Sequence, residues 1–235
     1  MVSFATKQTK ILELNKKGGA VRAEILKISS ETPELSLLKY AADQIRSGEV
    51  LGMPTDTFYG LAADPFNLRA VDRVYDIKTR SRHKPLSLLI ESVDQAEELA
   101  KELPEEFYAL ARKFWPGPLT IIVKAGSRLP LKVTANTGNV ALRVPNAKIP
   151  LGVVSAAAIP ITATSANLSG ASECTSAEQV RDQLQGRINI IVDGGASPRD
   201  VASTIIDLSD QASRWRVIRE GAIPADEISN FFAKG

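Results

Sequence analysis

The chain has one cysteine, Cys174, and one histidine, His83, among its 235 residues. A lone thiol cannot close an intrachain disulfide, so the fold has to be held by its core, and a cytoplasmic location is expected. Two such residues cannot supply the clustered ligands of a zinc site. A serine hydrolase needs a histidine base, and the sole candidate lies inside a run of cations, which argues against that chemistry. Cys174 stands in Ser172-Glu173-Cys174-Thr175, which reads as a helix entry rather than a thiol-nucleophile setting. No apolar run approaches the roughly 20 residues of a membrane span, and the opening MVSFATKQTKILELNKKGG lacks a signal-peptide core, so no membrane partner is expected. Met1 to Leu12 carries Lys, Ser and Thr without an acid, a transit-peptide trait that Glu13 interrupts. An excess of charge is also missing: 29 Lys and Arg against 27 acids leave +2, too little for the whole surface to bind a polyanion, so any anion site must be local. Neither G-x-x-x-x-G-K-[ST] nor G-x-G-x-x-G occurs, so any phosphate site is built by other means.

The remaining composition, 44% hydrophobic and 24% charged, is that of an ordinary globular protein, and the length is compatible with one domain. Residues 1–22 have low apolar content and a Lys16-Lys17-Gly18-Gly19 break, so a flexible arm is expected there and the folded domain over 23–235. Thr32-Pro33 reads as N-cap and first position of a helix with Leu35, Leu38, Ala41, Ala42 and Ile45 on one face. Further helix starts are signalled by Asn67, by a Ser92/Gln95 capping box, by Pro104 and by a Thr175-x-x-Glu178 box. A helix over Ile149 to Ala158 is opposed by Gly152 and the Val153-Val154 pair. Strand patterns lie at Glu49 to Met53, Leu86 to Glu91, Leu119 to Lys124, Val140 to Val144, Ile159 to Ala163, Ile188 to Val192, Thr204 to Leu208 and Trp215 to Ile218. This alternation predicts an α/β fold, a single-domain twisted mixed open sheet with helices packed on it.

Three segments invite a ligand. In Lys78-Thr79-Arg80-Ser81-Arg82-His83-Lys84 five of seven side chains are cationic or can become so; an anionic ligand would relieve their repulsion, and a solvated surface loop is the plainer alternative. Pro54-Thr55-Asp56-Thr57-Phe58-Tyr59-Gly60 follows a strand, where ligands of open α/β sheets sit, or is a plain turn closed by Asp56. Thr162-Ala163-Thr164-Ser165-Ala166-Asn167-Leu168-Ser169-Gly170 follows another apolar strand, and its small hydroxyl residues let backbone N–H groups approach a phosphate, with a plain Ser/Thr-rich loop as the commoner explanation. Arg143 interrupts an apolar strand and needs either water or an anion; Arg219 ends another strand with the same two options.

Taken in order, PTDTFYGLAADPFN, KTR with KPL, WPGPLT, ALRVPN, TSANLSG, DGG, STIIDLS and IREGAI resemble the YrdC-like family, which contains the threonylcarbamoyl-AMP synthases. The resemblance covers about Ala23 to Ile228, and the chain ends soon after its last motif, like the short form of these enzymes. It implies a YrdC-like fold with a basic concave active-site face. There L-threonine, bicarbonate and ATP become threonylcarbamoyl-AMP and pyrophosphate, for the threonylcarbamoyladenosine modification of tRNA. It assigns Lys78 and Arg80 to the ATP phosphates and to catalysis, with Arg82 in the same cluster. Ser165, Asn167 and Arg219 fall to ATP, and Thr55, Arg143 and Ser203 to threonine. Mg²⁺ is expected to arrive with ATP, and proteins that transfer the threonylcarbamoyl group to tRNA are expected downstream. A carbamate is already an anionic nucleophile, so positioning and charge neutralisation suffice without a protein base. Two alternatives remain at this point. One is a protein that binds RNA directly through the basic face, against which the 6% aromatic content argues; the other is a paralogue acting on another small carboxylate.

Overall fold

The computed structural model describes residues 23–210 and 214–233; the expected arm at 1–22 lies outside them. The chain enters as β1 (Glu24–Lys27), α1 (Leu35–Arg46), β2 (Leu51–Met53) and β3 (Gly60–Ala62). It continues through α2 (Leu68–Lys78), β4 (Ser87–Leu89), α3 (Val93–Leu99), α4 (Glu105–Phe114), β5 (Leu119–Lys124) and β6 (Asn139–Arg143). Then follow α5 (Lys148–Ala157), β7 (Ile161–Thr162), β8 (Thr164–Ser165), α6 (Ala177–Leu184), β9 (Ile190–Asp193), β10 (Thr204–Asp207), β11 (Arg216–Arg219) and α7 (Ala225–Ala233).

The expected α/β class with mixed pairing is present, but the strands form two sheets rather than one. The first runs β1-β9-β2-β3-β8 and the second β11-β10-β5-β6-β4-β7. The single strand expected at Ile159 to Ala163 is where they part. Thr162 pairs with Leu88 of β4, while two residues later Thr164 pairs with Leu61 of β3. Ala163 bridges the two, its N–H donating to Ser87 O at 2.8 Å. One short segment thereby brings the open ends of both sheets to a common seam, and the candidate site lies along it.

Local chemistry sets most helix ends. Asn67 accepts from the N–H groups of Arg69 and Ala70, and Ser92 accepts from Gln95 N while Gln95 Oε1 receives Glu91 N; both starts are the expected ones. Two others shift. The hydroxyl of Thr32 turns back to Ser29 at 3.2 Å, so α1 begins after Glu34 with no side-chain cap. At α6 the box is Ser176 with Gln179, one residue beyond the Thr175/Glu178 pair: Ser176 accepts from Gln179 N and Gln179 Oε1 receives Thr175 N at 2.7 Å. The helix over Lys148–Ala157 forms despite its β-branched pair, because Ile149, Val153, Val154 and Ala157 share a buried face. Gly152 lets α1 approach, since a Cβ there would stand 2.6 Å from Leu38 Cδ1. Tertiary packing outweighs the helix propensity of these residues, which is worth a few tenths of a kcal/mol each.

Candidate active site

A cavity of about 180 Å³ opens at the seam of the two sheets, between the loop after β2, the exit of α2, β8 and the start of β10. Its charged lining is Arg80, Arg143, Arg219 and Glu173, and its hydroxyls include Thr55, Thr57, Ser165 and Ser203.

Arg143, at the end of β6, is buried, and its guanidinium is held on three sides. Nε donates to Gly117 O at 2.9 Å, Nη1 to Thr57 Oγ1 at 3.0 Å and Nη2 to Asp56 Oδ1 at 2.5 Å. Burial lowers its pKa and the Asp56 carboxylate opposes that shift. Both groups sit in a low-dielectric setting where neither is tolerable without the other. Of the two sequence options for Arg143, water is thus excluded and an anion is its partner. Asp56 is 1% exposed, and its second oxygen has no hydrogen-bond partner among the described residues; Arg199 Nη1 lies 4.0 Å from it. Thr55 closes a local turn, accepting from Thr57 N at 3.1 Å and donating to Phe58 O at 2.7 Å.

The basic run divides by orientation. Lys78 ends α2 pointing inward at 2% exposure, and its Nζ donates to Ser165 O, to Asn167 O at 2.9 Å and to Asn167 Oδ1 at 2.9 Å. It is not among the residues that line the cavity. Burial pushes its pKa down to about 8, with Arg80 adding to the shift. Thr79 then takes a left-handed φ of 50°, an uncommon setting for a β-branched residue, and swings the chain so that Arg80 faces the cavity. Arg80 is loosely held: Nη1 lies 3.5 Å from Thr164 Oγ1, Nη2 donates to Pro85 O at 3.2 Å, and Nε has no partner among the described residues. Arg82, expected with the phosphate cluster, instead lies outside the cavity and pairs with Asp72 and Asp76, at 53% side-chain exposure. Lys132 Nζ joins them at 2.6 Å from Asp72, so Arg82 belongs to a four-member surface ion-pair cluster against α2.

Ser165 lines the cavity while donating to Asn167 Oδ1 at 2.7 Å; Asn167 is buried behind it and donates to Ala171 O at 2.6 Å. Ser203 meets Thr120 Oγ1 at 2.9 Å, and Arg219 reaches over it, with Nη2 donating to Ser203 O at 2.8 Å. Gly221 permits that approach, because a Cβ there would fall 2.3 Å from Ala202 O. The DGG motif is structural on its visible contacts: Asp193 Oδ1 accepts from Gly195 N at 3.0 Å, and Gly195 O accepts from Tyr59 Oη at 2.6 Å. Sequence reasoning missed Thr57, which shares Arg143 with Asp56, and Glu173, which was absorbed into a helix entry. Cys174 is buried, and burial pushes its thiol up to about 11, too high for a nucleophile at neutral pH. No group of three or more His, Cys, Asp or Glu that could hold a metal occurs among the described residues.

Arg80, Arg143 and Arg219 face one small space whose walls carry hydroxyls, an arrangement able to receive an anion. No helix among the described residues is long and apolar enough to cross a membrane. Comparisons with known proteins agree with this reading of the fold. The threonylcarbamoyl-AMP synthase of Pyrococcus abyssi is 40% identical over 193 residues, covering 81% of this chain and 56% of the relative. That of Bacillus subtilis is 37% identical over 202 residues, covering 86% of this chain and 57% of the relative. The chain thus spans little more than half the length of these two relatives. The crystal structure of P. abyssi Sua5 complexed with L-threonine superposes with a TM-score of 0.85 at 38% identity, over 89% of this chain and 61% of that one. Residues 43–221 match the Sua5/YciO/YrdC family, described as Telomere recombination, and with the motif order and the fold in agreement, this chain belongs to that family.

Proposed function

We propose that the chain is an L-threonylcarbamoyladenylate synthase, a nucleotidyltransferase that joins L-threonine, bicarbonate and ATP into threonylcarbamoyl-AMP with release of pyrophosphate. The observation that carries the proposal is the convergence of Arg80, Arg143 and Arg219 on one small cavity lined by hydroxyls. Similarity to relatives named threonylcarbamoyl-AMP synthase supports it, as does the threonine complex of one solved relative.

The chemistry follows from charge. The free amine of threonine and bicarbonate condense to a carbamate with loss of water, and this anion attacks the α-phosphorus of ATP; the P–O bond to pyrophosphate breaks as the mixed anhydride forms. Nucleophile and leaving group are both anionic, so fixed cations lower the barrier by screening their repulsion, and no protein base is required. Arg80 is the residue best placed to move onto the phosphates, because its guanidinium is the least committed of the three. Arg143 and Arg219 are held in place and serve the carboxylate and nucleotide ends, with Thr55 and Ser203 shaping the threonine pocket. Lys78 and Asn167 act behind this surface by holding Ser165. About 180 Å³ is below the usual range of nucleotide pockets, so the enclosed part takes the reacting groups and the rest of ATP lies at the open mouth.

The described residues offer no cluster of carboxylates for a cation: Asp56 gives one oxygen to Arg143, Asp193 gives one to Gly195, and Glu173 stands alone in the lining. Mg²⁺ therefore comes bound to the triphosphate. The product is a reactive anhydride, to be consumed by proteins that transfer the threonylcarbamoyl group to tRNA in the cytoplasm.

In a pyrophosphate-release assay, turnover is expected only when ATP, L-threonine and bicarbonate are all present, and Arg80→Ala is expected to cut it about a hundredfold or more with the melting temperature kept. Release that ignores bicarbonate would reject the proposal.

A further inference from the structure

Among the described residues lining the cavity, Glu173 is the sole carboxylate. It is half-buried, and it makes no hydrogen bond or ion pair to a described residue. Its charge is felt by Arg219 and Lys78, whereas Arg143 is coupled to Asp56 and Arg219. The cavity lining thus holds a guanidinium with its hydrogen bonds made, Arg143, and a carboxylate with none, Glu173.

A bare carboxylate repels a triphosphate, a bicarbonate and an α-carboxylate alike. It is costly in an anion site unless the ligand brings positive charge to it. The Mg²⁺ that accompanies ATP is neutralised by the phosphates that hold it, and bicarbonate brings none. The amino acid does, through its ammonium group, and a zwitterion laid between Arg143 or Arg219 and Glu173 would satisfy both ends. Resting on the synthase reading, we infer that Glu173 recognises the α-ammonium group of the incoming amino acid, so that the site selects an α-amino acid over the matching hydroxy acid. Ribose hydroxyls, the other donors a carboxylate could take, are neutral and belong to ATP, which makes ATP affinity the control.

The test is calorimetric titration of the wild type and Glu173→Gln with three ligands: L-threonine, the 2,3-dihydroxybutanoate in which a hydroxyl replaces the ammonium, and ATP with Mg²⁺. The glutamine keeps size and hydrogen bonding and removes only charge. The wild type is expected to prefer threonine over the hydroxy acid by about tenfold, or about 1.4 kcal/mol. Glu173→Gln is expected to lose that preference through weaker threonine binding, with hydroxy-acid and ATP affinities equal or higher because the repulsion is gone. Threonine bound equally by both proteins overturns the inference and leaves the synthase reading standing. A parallel loss for all three ligands, or a loss confined to ATP, overturns it as well. A wild type that binds no amino acid overturns both.

Discussion

Replacing Asp56 by alanine is expected to destabilise the protein by about 3–5 kcal/mol, the cost of leaving a buried partner charge uncompensated. The pair is well suited to show this, since the side chains are 1% and 7% exposed and Nη2 to Oδ1 is 2.5 Å. Arg143 would keep Gly117 O and Thr57 Oγ1, two neutral acceptors that cannot balance its charge in that environment. The double variant Asp56→Ala/Arg143→Met removes both charges and is expected to recover much of the loss, because two absent ions need no desolvation. Denaturant unfolding of the two single variants and the double variant measures the coupling. Additive losses would mean that the ion pair does not hold the loop after β2 onto β6. Activity is expected to stay absent in the double variant even where stability returns, separating the guanidinium's part in binding from its part in folding.

The second large effect is expected at Lys78. Substitution by methionine keeps the stem and removes the donor to Ser165 O and Asn167 O, while Asn167 Oδ1 keeps the Ser165 hydroxyl. At about 1–3 kcal/mol per unsatisfied buried group, partly relieved by relaxation, a loss of about 2–4 kcal/mol is expected together with loss of turnover. Arg80→Ala, on the exposed side of the same turn, is expected to lose turnover alone. A pH signature accompanies the difference. Burial holds the folded pKa of Lys78 at about 8 against 10.5 for an unperturbed lysine, so between those values the unfolded chain binds more protons than the folded one. Wild-type stability is therefore expected to rise with pH across that window relative to Lys78→Met. Parallel stability profiles for wild type and Lys78→Met over that range would show that Lys78 is not buried as described.

These two residues also show what the sequence makes legible. The helix caps at Asn67 and Ser92 were readable because one side chain and one N–H decide them locally. The motif order pointed to the family because eight short strings in sequence are far more specific than any one. The inward turn of Lys78 was not readable. Within Lys78 to Lys84 every second residue is basic, and only the left-handed Thr79 sorts them into a buried anchor, a cavity residue and, at Arg82, a surface ion pair. Burial of a lysine against two carbonyls depends on the strand and loop at 164–167, nearly ninety residues away.

The division into two sheets was hidden for a related reason. Strand pattern reports which residues are extended, while partner choice is a tertiary matter, and the handover at Ala163 leaves no composition signal. β3 is a three-residue Gly-Leu-Ala segment without β-branched residues, and β1 carries little alternation, so neither announced itself. α7 could have been found. Pro224 precedes it, Asp226 and Glu227 occupy its first turn, and Trp215 stacks on Phe232 at a centroid distance of 5.0 Å. Glu173 had no signal at all: its place in the cavity is set by the loop between β8 and α6, which no periodicity describes.

The most direct test of the central claim is mass spectrometry of the adenylate formed from ATP, L-threonine and ¹³C-bicarbonate. The account predicts threonylcarbamoyl-AMP carrying one ¹³C, which proves that the bicarbonate carbon lies between the amino acid and the phosphate. An unlabelled threonyl adenylate, or no adenylate despite bound ATP, would contradict it.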